Sequence, residues 1–233
     1  MRYGKLYGVG IGPGDPRYLT LRAVEVLRAA DVIFTVISRN ATESVSRSVV
    51  ESLEPHGEIR LQMFTMSRDR EEREAQVRAN AAAILEELKG GKHCAFATLG
   101  DAMTYSTFGY VLEIIRGQLP DVDVEIVPGI TSFSALAARA GTVLVENGES
   151  LHVVPSFRAD QVETLHFPAR STTVLLKTYR SREALMARLR REKDVEFLYG
   201  EHVTMPGEVL ESTLEGIARR PEEYLSLMMV KKA

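Results

Sequence analysis

The chain reads as an α/β protein, and three observations carry that reading. Segments with helical and strand-like hydrophobic periods alternate from end to end. Four glycines at alternate positions, Gly8, Gly10, Gly12 and Gly14, sit where an apolar strand gives way to an amphipathic helix. Beyond the breaker-rich Gly117-Gln-Leu-Pro-Asp121 the sequence becomes richer in strands, with a pattern that suggests mixed strand direction.

In order, a strand is expected over 5–10, then a turn, the N-cap-like Thr20 and a helix over Leu21–Ala30, with Leu21, Val24 and Leu27 on one apolar face. A strand over Val32–Ile37 and a helix over Glu43–Leu53 follow. After a short strand at Ile59–Leu61, a long polar helix spans Arg70–Lys89 and closes on Gly90-Gly91, a C-capping pair. His93–Thr98 reads as a buried strand, followed by a helix over Thr107–Arg116. The breakers at 117–121 divide residues 1–117 from 118–233 as two α/β domains. The second begins with a strand over Val122–Val127, the turn Pro128-Gly129 and a helix over Ser132–Arg139. Strands near 151–155, 172–177, 195–199, 209–213 and 225–230 complete it, with a helix over Arg182–Arg191.

Composition narrows the function classes. The 233 residues are 45% hydrophobic and 26% charged, ordinary for a soluble protein, and suffice for one large domain or two small ones. A net charge of -3 provides no general basic field for nucleic acid or an anionic membrane. The one cysteine, Cys94, lies in an apolar run and reads as a buried inert thiol; a reducing compartment suits it. With neither a signal-type apolar segment nor a membrane-spanning run, the expected location is the cytoplasm. The histidines at 56, 93, 152, 166 and 202 lack metal-ligand spacing, so no metal site is expected.

The glycine loop is not the dinucleotide fingerprint. The third glycine of G-x-G-x-x-G would fall on Pro13, Asp15 or Arg17, depending on the start. The loop is therefore a ligand loop of another kind or a tight turn. Five segments at strand ends carry small or polar residues: Gly10–Asp15, Thr98–Tyr105, Val127–Ser132, Leu175–Lys177 and Tyr199–Thr204. In open α/β sheets, ligands gather at such carboxyl ends.

Three motifs occur in order: Gly10-Ile-Gly-Pro-Gly-Asp-Pro-Arg-Tyr-Leu-Thr-Leu-Arg-Ala23, Leu99-Gly-Asp-Ala-Met-Thr-Tyr-Ser-Thr107 and Val127-Pro-Gly-Ile-Thr-Ser-Phe133. Together they resemble the tetrapyrrole (corrin and porphyrin) methylase family over nearly the whole chain. Within it the chain is most similar to members that methylate carbon 20 of precorrin-2 or its cobalt counterpart. Lys5–Pro16, Phe64–Asp69, Tyr105–Tyr110 and Thr131–Gly141 carry that finer resemblance. Two departures stand out. Ala102 replaces the usual proline of Gly-Asp-Pro, which frees φ there and suggests a looser loop. Phe34-Thr-Val-Ile-Ser38 lacks the aspartate that some relatives carry at the end of the second strand as a proposed base.

The resemblance implies two α/β domains with S-adenosylmethionine in the cleft between them, a tetrapyrrole substrate, a place in cobalamin biosynthesis, and a homodimer. It places cofactor contacts at Pro13, Gly100, Asp101, Met103, Thr104, Thr131 and Ser132, with Lys177, Glu201, His202 and Val203 from the second domain. An Asx turn is the alternative reading of Asp101, and a helix N-cap that of Thr131 and Ser132. The implied substrate bears eight carboxylates, for which Arg39, Arg47, Arg68 and Arg70 are candidate partners; an ordinary solvated arginine is the alternative for each. No catalytic residue is assigned. Asp101 and Tyr105 stand where a proton acceptor could be, although a buried structural tyrosine is the simpler reading of Tyr105. The alternatives to this function are a methylase of another tetrapyrrole position or acceptor, and a non-catalytic tetrapyrrole-binding protein.

Overall fold

A computed structural model describes residues 3–38, 43–65, 69–155 and 157–233. They form two compact units, one ending at Thr131 and the other beginning at Ser132. The first holds five parallel strands: β1 (Leu6–Gly10), β2 (Val32–Ser38), β3 (Glu58–Phe64), β4 (Cys94–Thr98) and β5 (Val124–Val127), in the order β3-β2-β4-β1-β5. Four helices connect them: α1 (Leu21–Ala29), α2 (Val45–Glu51), α3 (Arg70–Lys89) and α4 (Phe108–Gln118).

Alternate strand residues feed two cores, because successive side chains on a strand point to opposite faces. Leu6, Val32, Phe34, Cys94 and Phe96 pack with Ala81, Ile84, Leu85 and Leu88 of α3 and Phe108, Val111, Leu112 and Ile115 of α4. Val9, Ile33, Ala95 and Ala97 pack with Ala23, Val26 and Leu27 of α1 and Val49 and Val50 of α2. The sheet is thus covered on both sides, as parallel sheets are.

Helix ends follow their local chemistry. The Thr20 hydroxyl accepts the Ala23 N–H at 3.1 Å, and Asp69 accepts the Glu71 N–H at 2.8 Å. The face expected for α1 is rotated, however: Leu21 is exposed, and Ala23, Val26 and Leu27 are the buried positions. β3 runs past the expected Leu61 to Phe64 because its full length pairs with β2.

The division expected at 117/118 falls ahead of the last strand of the first sheet. β5 pairs with β1 from Leu6↔Val124 to Val9↔Val127, which keeps it in the first unit. The breakers at 117–121 end α4 and nothing larger.

The second unit has β6 (Ser150–Pro155), β7 (Ser171–Leu176), β8 (Val195–Glu201), β9 (Val209–Glu211) and β10 (Ser226–Lys232), in the order β6-β7-β10-β8-β9. Only β6 and β7 are parallel; the remaining pairs are antiparallel, the mixed sheet expected. Its helices are α5 (Ser132–Ala140), α6 (Arg182–Leu189) and the short α7 (Leu214–Ala218), which the sequence did not signal. Leu175, Tyr199, Met228 and Val230 pack with Leu185, Met186 and Leu189 of α6 and Ile217 of α7. On the other side Leu136 of α5 lies against Gly200. No helix among the described residues is long and apolar enough to cross a membrane.

Candidate functional site

The carboxyl ends of β1, β4 and β5 lie side by side in the first sheet. The chain leaves β1 for α1 on one face and β4 for α4 on the other. A parallel sheet opens a ligand crevice where neighbouring connections diverge in this way. Here the backbones approach closely enough to require glycine. A Cβ on Gly10 would stand 2.6 Å from the Gly129 nitrogen and 2.8 Å from the Gly100 carbonyl oxygen, and one on Gly129 would strike the same oxygen. Gly12 and Gly100 exchange backbone hydrogen bonds, Gly12 N–H to Gly100 at 3.1 Å and the reverse at 2.7 Å, with φ of +74° and +77°. The alternate glycines are thus both a tight turn and a close crossing of strand ends.

Asp101 organises this crossing. One carboxylate oxygen accepts the Met103 N–H at 3.0 Å and the Thr104 hydroxyl at 2.9 Å, while the other accepts the Gly129 N–H at 3.0 Å. Burial alone would push the carboxyl up, but the Gly129 N–H, the Thr104 hydroxyl and the Met103 N–H outweigh it and hold it below the ordinary aspartate value. The group is therefore ionised and well solvated by the protein, which makes it a poor proton acceptor. The hydrogen bond from Met103 two residues on is the Asx turn weighed for this residue.

Ala102 is fully buried in the α3–α4 core, so the position that lacks proline is held by packing, not loosened. At the far end of the loop, the Ser106 hydroxyl donates to the Thr98 hydroxyl at 3.2 Å and accepts the Phe108 N–H at 3.1 Å, capping α4. Between these anchors Met103, Thr104 and Tyr105 form an exposed tip. Tyr105 is 54% exposed with φ +51°, which overturns the buried reading.

Pro13 is buried within the glycine loop, and Thr131 and Ser132 follow the Pro128-Gly129 turn at the junction of the units, Ser132 as the first residue of α5. The structure thus gathers Pro13, Gly100, Asp101, Met103 and Thr104 on loops that share one strand-end crossing, with Gly129 as a member that the sequence did not single out. Its signal is the Pro-Gly turn directly after an apolar strand.

In the second unit, Lys177, Glu201, His202 and Val203 also meet at one sheet end. The Lys177 N–H donates to Ser226 at 2.9 Å and the His202 N–H to Leu225 at 3.0 Å, so both loops are sewn to the start of β10. Lys177 and His202 have φ of +56° and +46°. The Lys177 ammonium lies 5.5 Å from the Tyr224 ring centre, and His202 Nε2 is 3.0 Å from Glu223. Glu201 is 2% exposed, and its carboxylate accepts the Tyr199 phenol at 2.8 Å and Arg220 Nε at 2.6 Å. That side chain is committed to the core. Val203 is buried against Gly200.

Of the candidate arginines, Arg39 and Arg68 lie outside the described residues. Arg47 pairs with Glu51 on α2 and Arg70 with Glu74 on α3, each one helical turn away. Such exposed pairs contribute little to stability. Among the described residues no cluster of three or more His, Cys, Asp or Glu could hold a metal.

Against this geometry, the sequence matches the tetrapyrrole (corrin/porphyrin) methylases over residues 5–218. It is 35% identical over 232 residues to a cobalt-precorrin-2 C(20)-methyltransferase of Salmonella typhimurium, covering 98% of this chain and 97% of that one. A probable cobalt-precorrin-2 C(20)-methyltransferase of Methanocaldococcus jannaschii is 32% identical over 229 residues, covering 98% and 96%. Among solved structures, uroporphyrin-III-C-methyltransferase from Thermus thermophilus aligns with a TM-score of 0.71 at 26% identity, covering 98% of this chain and 94% of that one. A second structure of the Thermus enzyme is complexed with S-adenosyl homocysteine.

Proposed function

Because this chain belongs to the tetrapyrrole (corrin/porphyrin) methylases, we propose that it is an S-adenosylmethionine-dependent C-methyltransferase that methylates carbon 20 of precorrin-2 or its cobalt form in cobalamin biosynthesis. The observation that carries the reading is the end-to-end similarity to a C(20) enzyme, which leaves almost none of the chain unmatched. The cobalt form is the first substrate to try, since both relatives carry cobalt in their names.

The strand-end crossing fits the cofactor. A Cβ on Gly100 would meet nothing within 4 Å, so open space adjoins the backbone there, on the loop that carries the exposed Met103 and Thr104. Pro13, Gly100, Asp101, Met103, Thr104, Thr131 and Ser132 are the proposed contacts in this region. Lys177, His202, Val203 and the main chain of Glu201 are those proposed from the second unit. When bound, S-adenosylmethionine supplies an electrophilic methyl group on a sulfonium. The protein's own task is positional: to hold the acceptor carbon in line with that methyl group and to exclude water. Orientation of this kind is worth up to about 7–11 kcal/mol in favourable cases. An electron-rich reduced tetrapyrrole brings its own carbon nucleophile, so an activated serine, cysteine or lysine is unnecessary. The committed hydrogen bonds of Asp101 fit a scaffold role.

The proposal includes a homodimer working in the cytoplasm, checked by sedimentation of the purified protein and by fractionation of the source cells. The activity test is anaerobic incubation with methyl-labelled cofactor and either precorrin-2 or its cobalt form. One methyl group on carbon 20 is the expected product. Folded protein that transfers no label to either tetrapyrrole would refute the reading.

A further inference from the structure

We infer that Tyr105 is the residue through which the loop after β4 positions the acceptor, its phenol ring lying against the flat macrocycle. The inference rests on the methylase reading for the chemistry of that acceptor and goes beyond it in naming a substrate contact.

Tyr105 combines two features that proteins seldom join. Its φ of +51° is in the left-handed region, where an aromatic side chain is strained and glycine or asparagine is the relaxed choice. The residue is nonetheless 54% exposed. The fold therefore presents an aromatic residue at its surface on a strained backbone.

The loop that holds it is fixed at each flank. Gly100 is bridged to Gly12, Asp101 takes hydrogen bonds from Gly129, Met103 and Thr104, Ala102 is buried, and Ser106 is bonded to Thr98. These bonds and the burial of Ala102 hold the loop beneath an exposed tip at 103–105, where Met103 is exposed as well. A rigid support for an exposed aromatic residue suits a conjugated, planar ligand, because little freedom is lost when the ligand arrives. Tyr105 acts in this account through its ring face, as a positioning residue, and not through its proton.

The test compares Tyr105→Phe, Tyr105→Asn and Tyr105→Gly with the parent protein. Four quantities are read: melting temperature, affinity for S-adenosyl homocysteine, affinity for uroporphyrin as a stable planar octacarboxylate probe, and KM for the tetrapyrrole acceptor. Tyr105→Phe should keep both tetrapyrrole constants within about threefold, since the ring remains. Tyr105→Gly and Tyr105→Asn should melt higher, because the strain is relieved, while uroporphyrin affinity and KM worsen about tenfold, the scale of one lost stacking contact. Cofactor affinity should not move. Unchanged tetrapyrrole constants in Tyr105→Gly would overturn the inference, as would a lower melting temperature coupled to lost cofactor binding, the mark of a purely structural tyrosine. A parent protein that binds uroporphyrin through Tyr105 but transfers no methyl group would sink the methylase reading and leave the inference standing. Active parent protein with indifferent Tyr105 variants would do the reverse.

Discussion

The Asp101 carboxylate accepts the Gly129 N–H at 3.0 Å, joining the loop after β4 to the turn after β5 across the end of β1. The same carboxylate fixes Met103 and Thr104, so one side chain sets the shape of two candidate ligand loops. Asp101→Ala strands the part-buried Gly129 N–H, an omission that costs about 1–3 kcal/mol. At about 2–4 °C per kcal/mol for a chain of this size, the melting temperature should fall by several degrees. Cofactor affinity should fall with it, because the amides that shape the crossing lose their anchor. Asp101→Asn keeps the shape but accepts through one oxygen only, so an intermediate loss is expected.

The pH dependence of that difference has a definite sign. In the folded protein the Asp101 carboxyl is held below its ordinary value. Its contribution is therefore present above the unfolded value, about 4, and is lost as pH falls through the folded one. Urea denaturation of the parent and Asp101→Asn proteins should show a stability gap that is constant near neutrality and narrows below pH 4. A gap independent of pH would mean that the charge has no part in holding the loop.

Two glycines in the first unit should respond oppositely to alanine. At Gly10 a Cβ would press on the Gly129 nitrogen and the Gly100 carbonyl, both backbone atoms that cannot swing aside. Gly10→Ala should destabilise by about 1–3 kcal/mol or more, as overpacking does, and should weaken cofactor binding. Gly117 lies in α4, where an added methyl group would meet nothing within 4 Å, and its φ is not in the left-handed region. Gly117→Ala should stabilise by about 0.4–1 kcal/mol through reduced freedom of the unfolded chain. Paired thermal denaturation of the two variants checks both signs.

Cys94 is buried, and burial pushes its thiol up to about 12. The reactive species is the thiolate, so the folded protein should be nearly inert to a thiol-directed disulfide reagent at pH 8. Full reaction should occur only in denaturant, with a rate in water that tracks opening of the β1–β4 sheet.

Much of the fold is legible in the sequence because its signals are local. α3 runs from Arg70 to Lys89 as expected, since Asp69 caps one end and Gly90 the other. β3 reads short in the sequence because Arg60 and Gln62 interrupt its apolar pattern; only its pairing with β2 extends it to Phe64. The domain boundary falls elsewhere than expected for a similar reason: Gly117 and Pro120 announce a break, but whether β5 joins the first sheet depends on its contact with β1, remote in sequence. At the site, Gly100 and Asp101 are readable from the motif. The bond from Gly129 to Asp101 is not, because it spans 28 residues and joins a main-chain donor to a side chain. Tyr105 gives no warning of its left-handed backbone, for the residue types that ordinarily mark φ > 0 are absent there.

Glu201 illustrates how a residue at a strand end can serve the scaffold instead of the ligand. Its buried carboxylate accepts the Tyr199 phenol at 2.8 Å and Arg220 Nε at 2.6 Å, with Arg182 at 3.9 Å. Arg182 in turn donates to the Arg220 and Pro221 carbonyls, tying the 219–226 segment to the sheet that carries Lys177 and His202. Glu201→Ala leaves the buried Tyr199 phenol and the Arg220 and Arg182 guanidinium groups without this acceptor, so it should cost about 1–3 kcal/mol. Tyr199→Phe removes one hydrogen bond while the charges stay paired, and should cost only about 1 kcal/mol. Burial, followed by the Glu201 hydrogen bond, pushes the Tyr199 phenol up to about 12. A phenol whose folded value exceeds its unfolded value, near 10, stabilises the fold below that value and stops doing so as pH climbs through 12. The parent protein should therefore lose stability between pH 10 and 12 more steeply than Tyr199→Phe, as measured by urea denaturation across that range. Parallel curves would show that the Tyr199 phenol titrates as it does in the unfolded chain, and that the Glu201 network is less dry than its geometry implies.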